Sequence, residues 1–150
     1  MNKLKLMVLA TALLIFISIN NAAFAGGIGY INYKKIQDNY ATAKDAVKEV
    51  DAQALELQQY LVDKEKEFKA LDTPLKKKNF EEKTAKEFKA KQDSYLKLKA
   101  QKEDEVFSKI QDAARQVLVE QKLDAVLDFR VIFVGGIDIT DLVLSKLNKK

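Results

Sequence analysis

Ser94-Tyr95-Leu96-Lys97 is the one stretch of this chain whose spacing matches a nucleophile motif, the S-x-x-K of penicillin-binding enzymes. In those enzymes a lysine activates a serine, but further S-D-N and K-T-G segments complete the site, and neither occurs here. The tetrapeptide also sits among lysines in a strongly helical context, so it reads as a solvated helix face. The chain has no histidine and no cysteine, which excludes Ser-His-Asp and Cys-His catalysis and the usual zinc sites. Carboxylates, lysines and tyrosines remain formally able to act. Asp138 and Thr140 read as helix-capping residues, not as metal ligands. No catalytic, cofactor-binding or metal-binding residue is therefore nominated.

The chemistry that does accumulate is charge and aromatic surface. Residues 64–91 hold ten lysines against six acids, a local charge of +4. Lys69, Lys76, Lys77, Lys78, Lys83 and Lys86 make up a basic tip that would attract an anionic lipid or lipopolysaccharide surface, or acidic partners. The plainer reading is a solvated face of interspersed ion pairs, each worth little. Phe68, Phe80, Phe88 and Tyr95 are spaced through the same region as candidate contacts for whatever the arm meets. For Phe80, together with Leu71 and Leu75, packing inside a hairpin is the simpler expectation.

These residues need elements to hold them. From Tyr33 to Lys122 there is no glycine and a single proline, Pro74, in a stretch crowded with good helix formers. Apolar residues recur at alternating steps of three and four: Tyr33, Ile36, Tyr40, Ala43, Val47, Val50, Ala54, Leu57 and Leu61, then Phe68 and Leu71. Lys64 occupies the skipped position. Such a seam predicts coiled-coil packing against a second helix. The return helix is expected from about Asn79 to Lys122, rich near its end (Val106, Ile110, Ala113, Val117) and sparse before. The turn is placed between Asp72 and Asn79, with Thr73-Pro74 and Asn79…Glu82 as alternative helix starts. At about 1.5 Å per residue, forty residues of helix would reach roughly 60 Å.

Short strands flank the hairpin. Residues 26–32 contain a strand through Ile28, Tyr30 and Ile31, followed by Asn32 as an N-cap. Leu123 to Phe129 alternates, with Leu123, Ala125, Leu127 and Phe129 on one face and Val126 on the other. Val131 to Val134, including Phe133, reads as a further strand ended by Gly135-Gly136. Asp138 then caps a last helix from Ile139 to Leu147, with Ile137 and Leu142 at its staple positions. Three short strands make too small a sheet to stand alone, and their edges invite closure by other copies.

At the N-terminus, Lys3 and Lys5, the uncharged run Leu6 to Ile19 and Ala23-Phe24-Ala25 form the three parts of a secretory signal peptide. Cleavage is expected after Ala25, leaving residues 26–150 as one domain with a net charge of +2. An uncleaved anchor is the alternative, but the run is short for a span of roughly 20 residues. Export argues against nucleic-acid binding despite a sequence pI near 9.1.

Taken together, Ile28-Gly29-Tyr30-Ile31-Asn32, the charged hairpin, Leu123 to Asp128, and Asp138-Ile139-Thr140-Asp141 resemble the Skp/OmpH family of periplasmic chaperones. The resemblance spans essentially the whole of residues 26–150 and implies an α+β fold. Three subunits would share a small β-barrel body, each with a long antiparallel helical hairpin (tentacle) and a short C-terminal helix. It implies ATP-independent holding of unfolded outer-membrane proteins in a cavity between the arms, with no cofactor. Phe133 stands where many relatives have tyrosine, and the tip around Pro74 follows no family pattern. The rival readings are a structural coiled-coil envelope protein and a peripheral membrane-surface binder.

Overall fold

The computed structural model describes residues 26–149, so the expected signal peptide lies outside the described residues. Strand β1 (Ile28–Ile31) leads into α1 (Tyr33–Asn39) and α2 (Ala41–Lys69). Helix α3 (Pro74–Glu120) returns to β2 (Ala125–Asp128), a 3-10 turn (Phe129–Val131), β3 (Ile137–Asp138) and α4 (Thr140–Asn148). All three strands run parallel, in the order β2-β1-β3. The entire hairpin is thus the crossover between the neighbouring strands β1 and β2. Parallel strands require some such connection, and here it is drawn out into an arm. At about 1.5 Å per residue, the 47 residues of α3 extend roughly 70 Å.

Local sequence accounts for the helix ends. The Asn32 Oδ1 accepts the Lys35 N–H at 2.9 Å and starts α1. Thr73 caps α3 by accepting the Lys76 N–H at 3.3 Å, with Pro74 at the first helical position, where its missing donor costs nothing. The first of the two alternative helix starts is the one used. The connection occupies residues 70–73, so it begins earlier than the expected 72–79 window and α3 starts before Asn79.

Three expectations are corrected. The outgoing helix is interrupted: Tyr40 is extended (φ −85°, ψ 122°), separating α1 from α2. Tyrosine is an ordinary helix former, and the signal for the break lies elsewhere, in Asn148 of α4. The Asn148 side chain accepts the Ala41 N–H and donates to the Asn39 carbonyl, both at 3.3 Å, supplying partners at the gap. Next, Val131 and Phe133 are not in a strand. The Asp128 carboxylate accepts the Arg130 N–H at 2.9 Å and grips its guanidinium at 2.8 and 2.9 Å, curling the chain into the 3-10 turn. The third strand is Ile137–Asp138 instead, reached through Gly135 and Gly136 at φ +84° and +87°, a region that favours glycine. Finally, Val126 packs toward the core while Leu127 and Phe129 are exposed, reversing the expected faces of β2 beyond Leu123.

The core lies at the base of the arm. Ile36, Tyr40, Ala43 and Ala46 meet Val106, Ile110, Ala113, Ala114 and Val117, with Leu123, Ile139 and Val143 closing the floor. Gly29 is buried there; a Cβ on it would lie 2.7 Å from the Leu123 side chain. Val47 leaves the predicted seam and is exposed, its place in the base taken by Ala46.

Candidate functional site: the distal arm and the sheet face

Beyond Ala46 and Val106 the two arm helices bury no further residue completely. What holds them together changes from aliphatic side chains to aromatic rings and lysines. Phe68 and Phe80 meet across the hairpin, ring centroids 6.1 Å apart and tilted by 44°. Lys64, the odd member of the seam, places its ammonium 5.6 Å from the rings of both Tyr60 and Phe80. Lys77 covers Phe68 at 5.5 Å, and Lys91 covers Tyr60 at 5.2 Å. Each cation–π contact at such partly exposed sites is worth about 0.5–1 kcal/mol. The Lys64 aliphatic stem fills the seam while its ammonium pairs with Glu67 at 2.9 Å, which raises its pKa.

Tyr60 also donates to the Glu87 carboxylate at 2.8 Å. Burial of the phenol, then the hydrogen bond to Glu87 and the negative charge of that group, push the Tyr60 pKa up to about 12. Nearer the base, Lys102 and Glu49 pair across the helices at 2.7 Å. These cross-arm partners were not predicted. Their signal is arithmetical, since antiparallel partners lie almost equally far from the turn, and it becomes usable only once Thr73 is fixed as the cap.

The predicted tip residues divide accordingly. Phe68 and Phe80 are spent on each other, whereas Phe88 and Tyr95 are half-buried on α3 without a ring partner among the described residues. Among the lysines, Lys69 pairs with Glu65 at 2.6 Å, Lys76 with Asp72 at 2.9 Å and Lys83 with Glu87 at 3.8 Å. Lys78 and Lys86 are exposed and carry no ion pair among the described residues. Leu75, one turn before Lys78, is 69% exposed. Ser94 and Lys97 are exposed on mid-α3, as the solvated-face reading of S-x-x-K requires.

At the other end, Ile28, Leu127, Phe129, Val131, Phe133, Val134 and Ile137 are all exposed on the sheet and its turn. Tyr30, Ile31 and Val126 are half-buried beneath them. Asp138 acts as expected in part: its carboxylate accepts both the N–H and the hydroxyl of Thr140 at the start of α4, which holds its pKa below the usual carboxylate value. The helix begins one residue later than predicted, so the staple positions fall on Asp138 and Val143; Ile137 and Leu142 are exposed, and the buried Ile139 and Val143 join the core instead. Thr140 does not cap its own helix. Its buried hydroxyl accepts the Asn32 N–H at 2.9 Å, tying α4 to the β1–α1 junction.

No curated protein matches the chain significantly. Among solved structures, a candidate outer membrane chaperone (OmpH-like) from Caulobacter crescentus CB15 is similar at 15% identity and a TM-score of 0.42. That match covers 82% of this chain and 84% of the other. The model of the outer membrane protein (OmpH-like) family matches residues 27–147, from the first residue before β1 to the last turn of α4. On that match, the chain belongs to the OmpH-like outer membrane protein family.

Proposed function

We propose that residues 26–150 form, after export to the periplasm and signal-peptide removal, a single-domain holdase chaperone for unfolded outer-membrane proteins. Family membership supports a chaperone role. The observation that carries the finer reading is the split between a body whose sheet face is apolar and exposed and an arm that cannot bury its own distal half. The sheet face supports closure with other copies, a trimer around a shared barrel by family resemblance. The arms would then surround a space in which Phe88, Tyr95 and exposed aliphatic side chains offer weak, dispersed contacts. Such contacts suit clients of varied sequence, and release would need neither nucleotide nor catalysis.

The test is dilution of a urea-unfolded β-barrel protein into buffer containing the exported chain, followed by light scattering. Scattering should fall to near the client-free level at about one trimer per client, without nucleotide. Unchanged scattering at excess chaperone defeats the proposal and favours a purely structural coiled coil.

A second reading is favoured by Leu75 and by the unpaired Lys78 and Lys86 at the tip. An exposed leucine one turn from the free ammonium group of Lys78, with Lys86 farther along the same helix, suits an anionic membrane surface. Sedimentation with anionic vesicles should capture the client-free chain, and Lys76→Glu/Lys77→Glu/Lys78→Glu should abolish the capture. Equal capture of that variant would remove lipid from the account.

A further inference from the structure

We infer that the Asp124 carboxylate and the Lys122 carbonyl form a receptor for an ammonium group, and that its ligand is the amino terminus released at Gly26 by signal-peptide removal. This rests on the cleavage after Ala25 proposed above and gives that cut a structural consequence. Hydrolysis of the Ala25–Gly26 bond by a peptidase consumes one water and leaves a carboxylate on Ala25 and an ammonium on Gly26. The new charge therefore arises just before Ile28, where β1 begins.

The receptor is defined by a position on Gly26 itself. The place that a side-chain carbon would take on its Cα lies 2.6 Å from Asp124 Oδ1 and 2.6 Å from the Lys122 carbonyl oxygen. A carbon there would collide with both. A nitrogen needs only a small outward shift to reach about 2.7–2.9 Å, the length of a charge-assisted hydrogen bond. The first residue of a chain turns about its Cα–C bond with nothing before it to carry, and rotation by one tetrahedral position puts its amino nitrogen at that place. An ammonium has donors enough for both oxygens and for water. In the precursor the same nitrogen is a neutral amide with one hydrogen, which supplies neither the charge nor the second bond.

The fold holds both oxygens in place. Lys122, just past the end of α3, has φ +52°, a left-handed conformation uncommon for a residue with a side chain, and the path from helix to strand fixes its carbonyl there. Leu123 beside it is buried in the core. The Asp124 N–H donates to the Gly27 carbonyl at 3.2 Å, extending the parallel pairing of β1 and β2 by one rung. The Asp124 carboxylate makes no ion pair among the described side chains. An ammonium seated on it ties the start of the central strand to the start of its outer neighbour. Processing thus fastens a corner of the sheet that the precursor leaves unfastened. Asp124 is exposed, so the gain is that of a surface ion pair and its effect is local.

The test compares the exported, processed chain with one expressed so that residues 23–25 are retained, each with and without Asp124→Asn. Intact mass first shows where the processed chain begins. Hydrogen exchange then reads the protection of the amide at position 124. That protection should be about threefold higher in the processed chain than in the extended one, the scale of an exposed ion pair. Asp124→Asn should remove the difference while leaving the extended chain and the Ile110 amide unchanged. Equal protection in processed and extended chains overturns the receptor while the cleavage stands. So does a loss from Asp124→Asn that is the same in both. A processed mass that does not begin at Gly26 defeats the cleavage reading, and the receptor with it.

Discussion

The base and the distal half of the arm are continuous stretches of the same two helices, yet they are held by different forces. At the base, Ile36, Val106, Ile110 and Val117 exclude water and interlock. In the distal half, Tyr60, Lys64, Phe68, Phe80 and Glu87 fasten the helices through rings, ammonium groups and one phenol–carboxylate bond, all partly exposed. Aliphatic burial is collective and rigid. Exposed cation–π contacts and ion pairs are individually weak and can exchange partners. One helical pair can therefore be a fixed scaffold near the sheet and a yielding surface farther out.

The largest expected effect tests the scaffold. Ile110 is 2% exposed, and Ile110→Ala should cost about 3 kcal/mol in urea unfolding monitored by circular dichroism. Phe80→Ala, at the distal ring pair, should cost about 1 kcal/mol, the worth of a partly exposed aromatic contact. Equal losses would mean that the two halves are one cooperative unit of uniform strength, and the comparison would fall.

Next is the junction that joins the body to the arm. Thr140→Val deletes a buried hydroxyl and leaves the Asn32 N–H without its acceptor, a cost of about 1–3 kcal/mol in the same assay. Thr140→Ser should recover most of that loss, because the hydroxyl is what the junction uses. Recovery by valine instead would show that shape alone matters there.

The base was the readable part of the chain. Steps of three and four place Ile36, Ala43, Val106, Ile110, Ala113 and Val117 on facing stripes, and all six are buried. Thr73-Pro74 and Asn32 announce helix starts through local capping chemistry that needs no tertiary partner. The misreadings share an opposite cause. Val131 to Val134 has strand-like residues, but the Asp128–Arg130 grip decides the local geometry. Ile137–Asp138 is too short to carry a period. The distal fastenings join residues that mean little singly, since Lys64 in an apolar seam reads as a defect until Tyr60 and Phe80 stand beside it.

A smaller effect probes those fastenings through pH. The Tyr60 pKa is raised from 10.0 to about 12, so the neutral phenol is favoured in the fastened arm. Its contribution is fully present below pH 10. It is lost as the pH rises from about 10 to about 12, where an unfastened tyrosine ionises first. Absorbance at 295 nm should show one phenolate titrating near pH 12 that disappears in Tyr60→Phe. Hydrogen exchange in the distal half should quicken over that window before the base responds. Simultaneous loosening of both halves would contradict the division.

The smallest effect concerns a break in the outgoing helix inside the scaffold. Tyr40 interrupts the outgoing helix within the buried base, and a broken helix normally leaves backbone groups seeking partners. The Asn148 amide answers on both sides of the gap, accepting from Ala41 and donating to Asn39. Both bonds are 3.3 Å and exposed, so water can replace them at modest cost. Asn148→Ala should therefore lower global stability by no more than about 1 kcal/mol. Its effect should be local instead: the Ala41 amide should exchange several-fold faster while the Ile110 amide keeps its protection. If Asn148→Ala destabilises the whole molecule as much as Ile110→Ala does, the interruption at Tyr40 is part of the scaffold. If only Ala41 responds, the arm joins its base through a tethered break, and yielding begins there as well as at the tip.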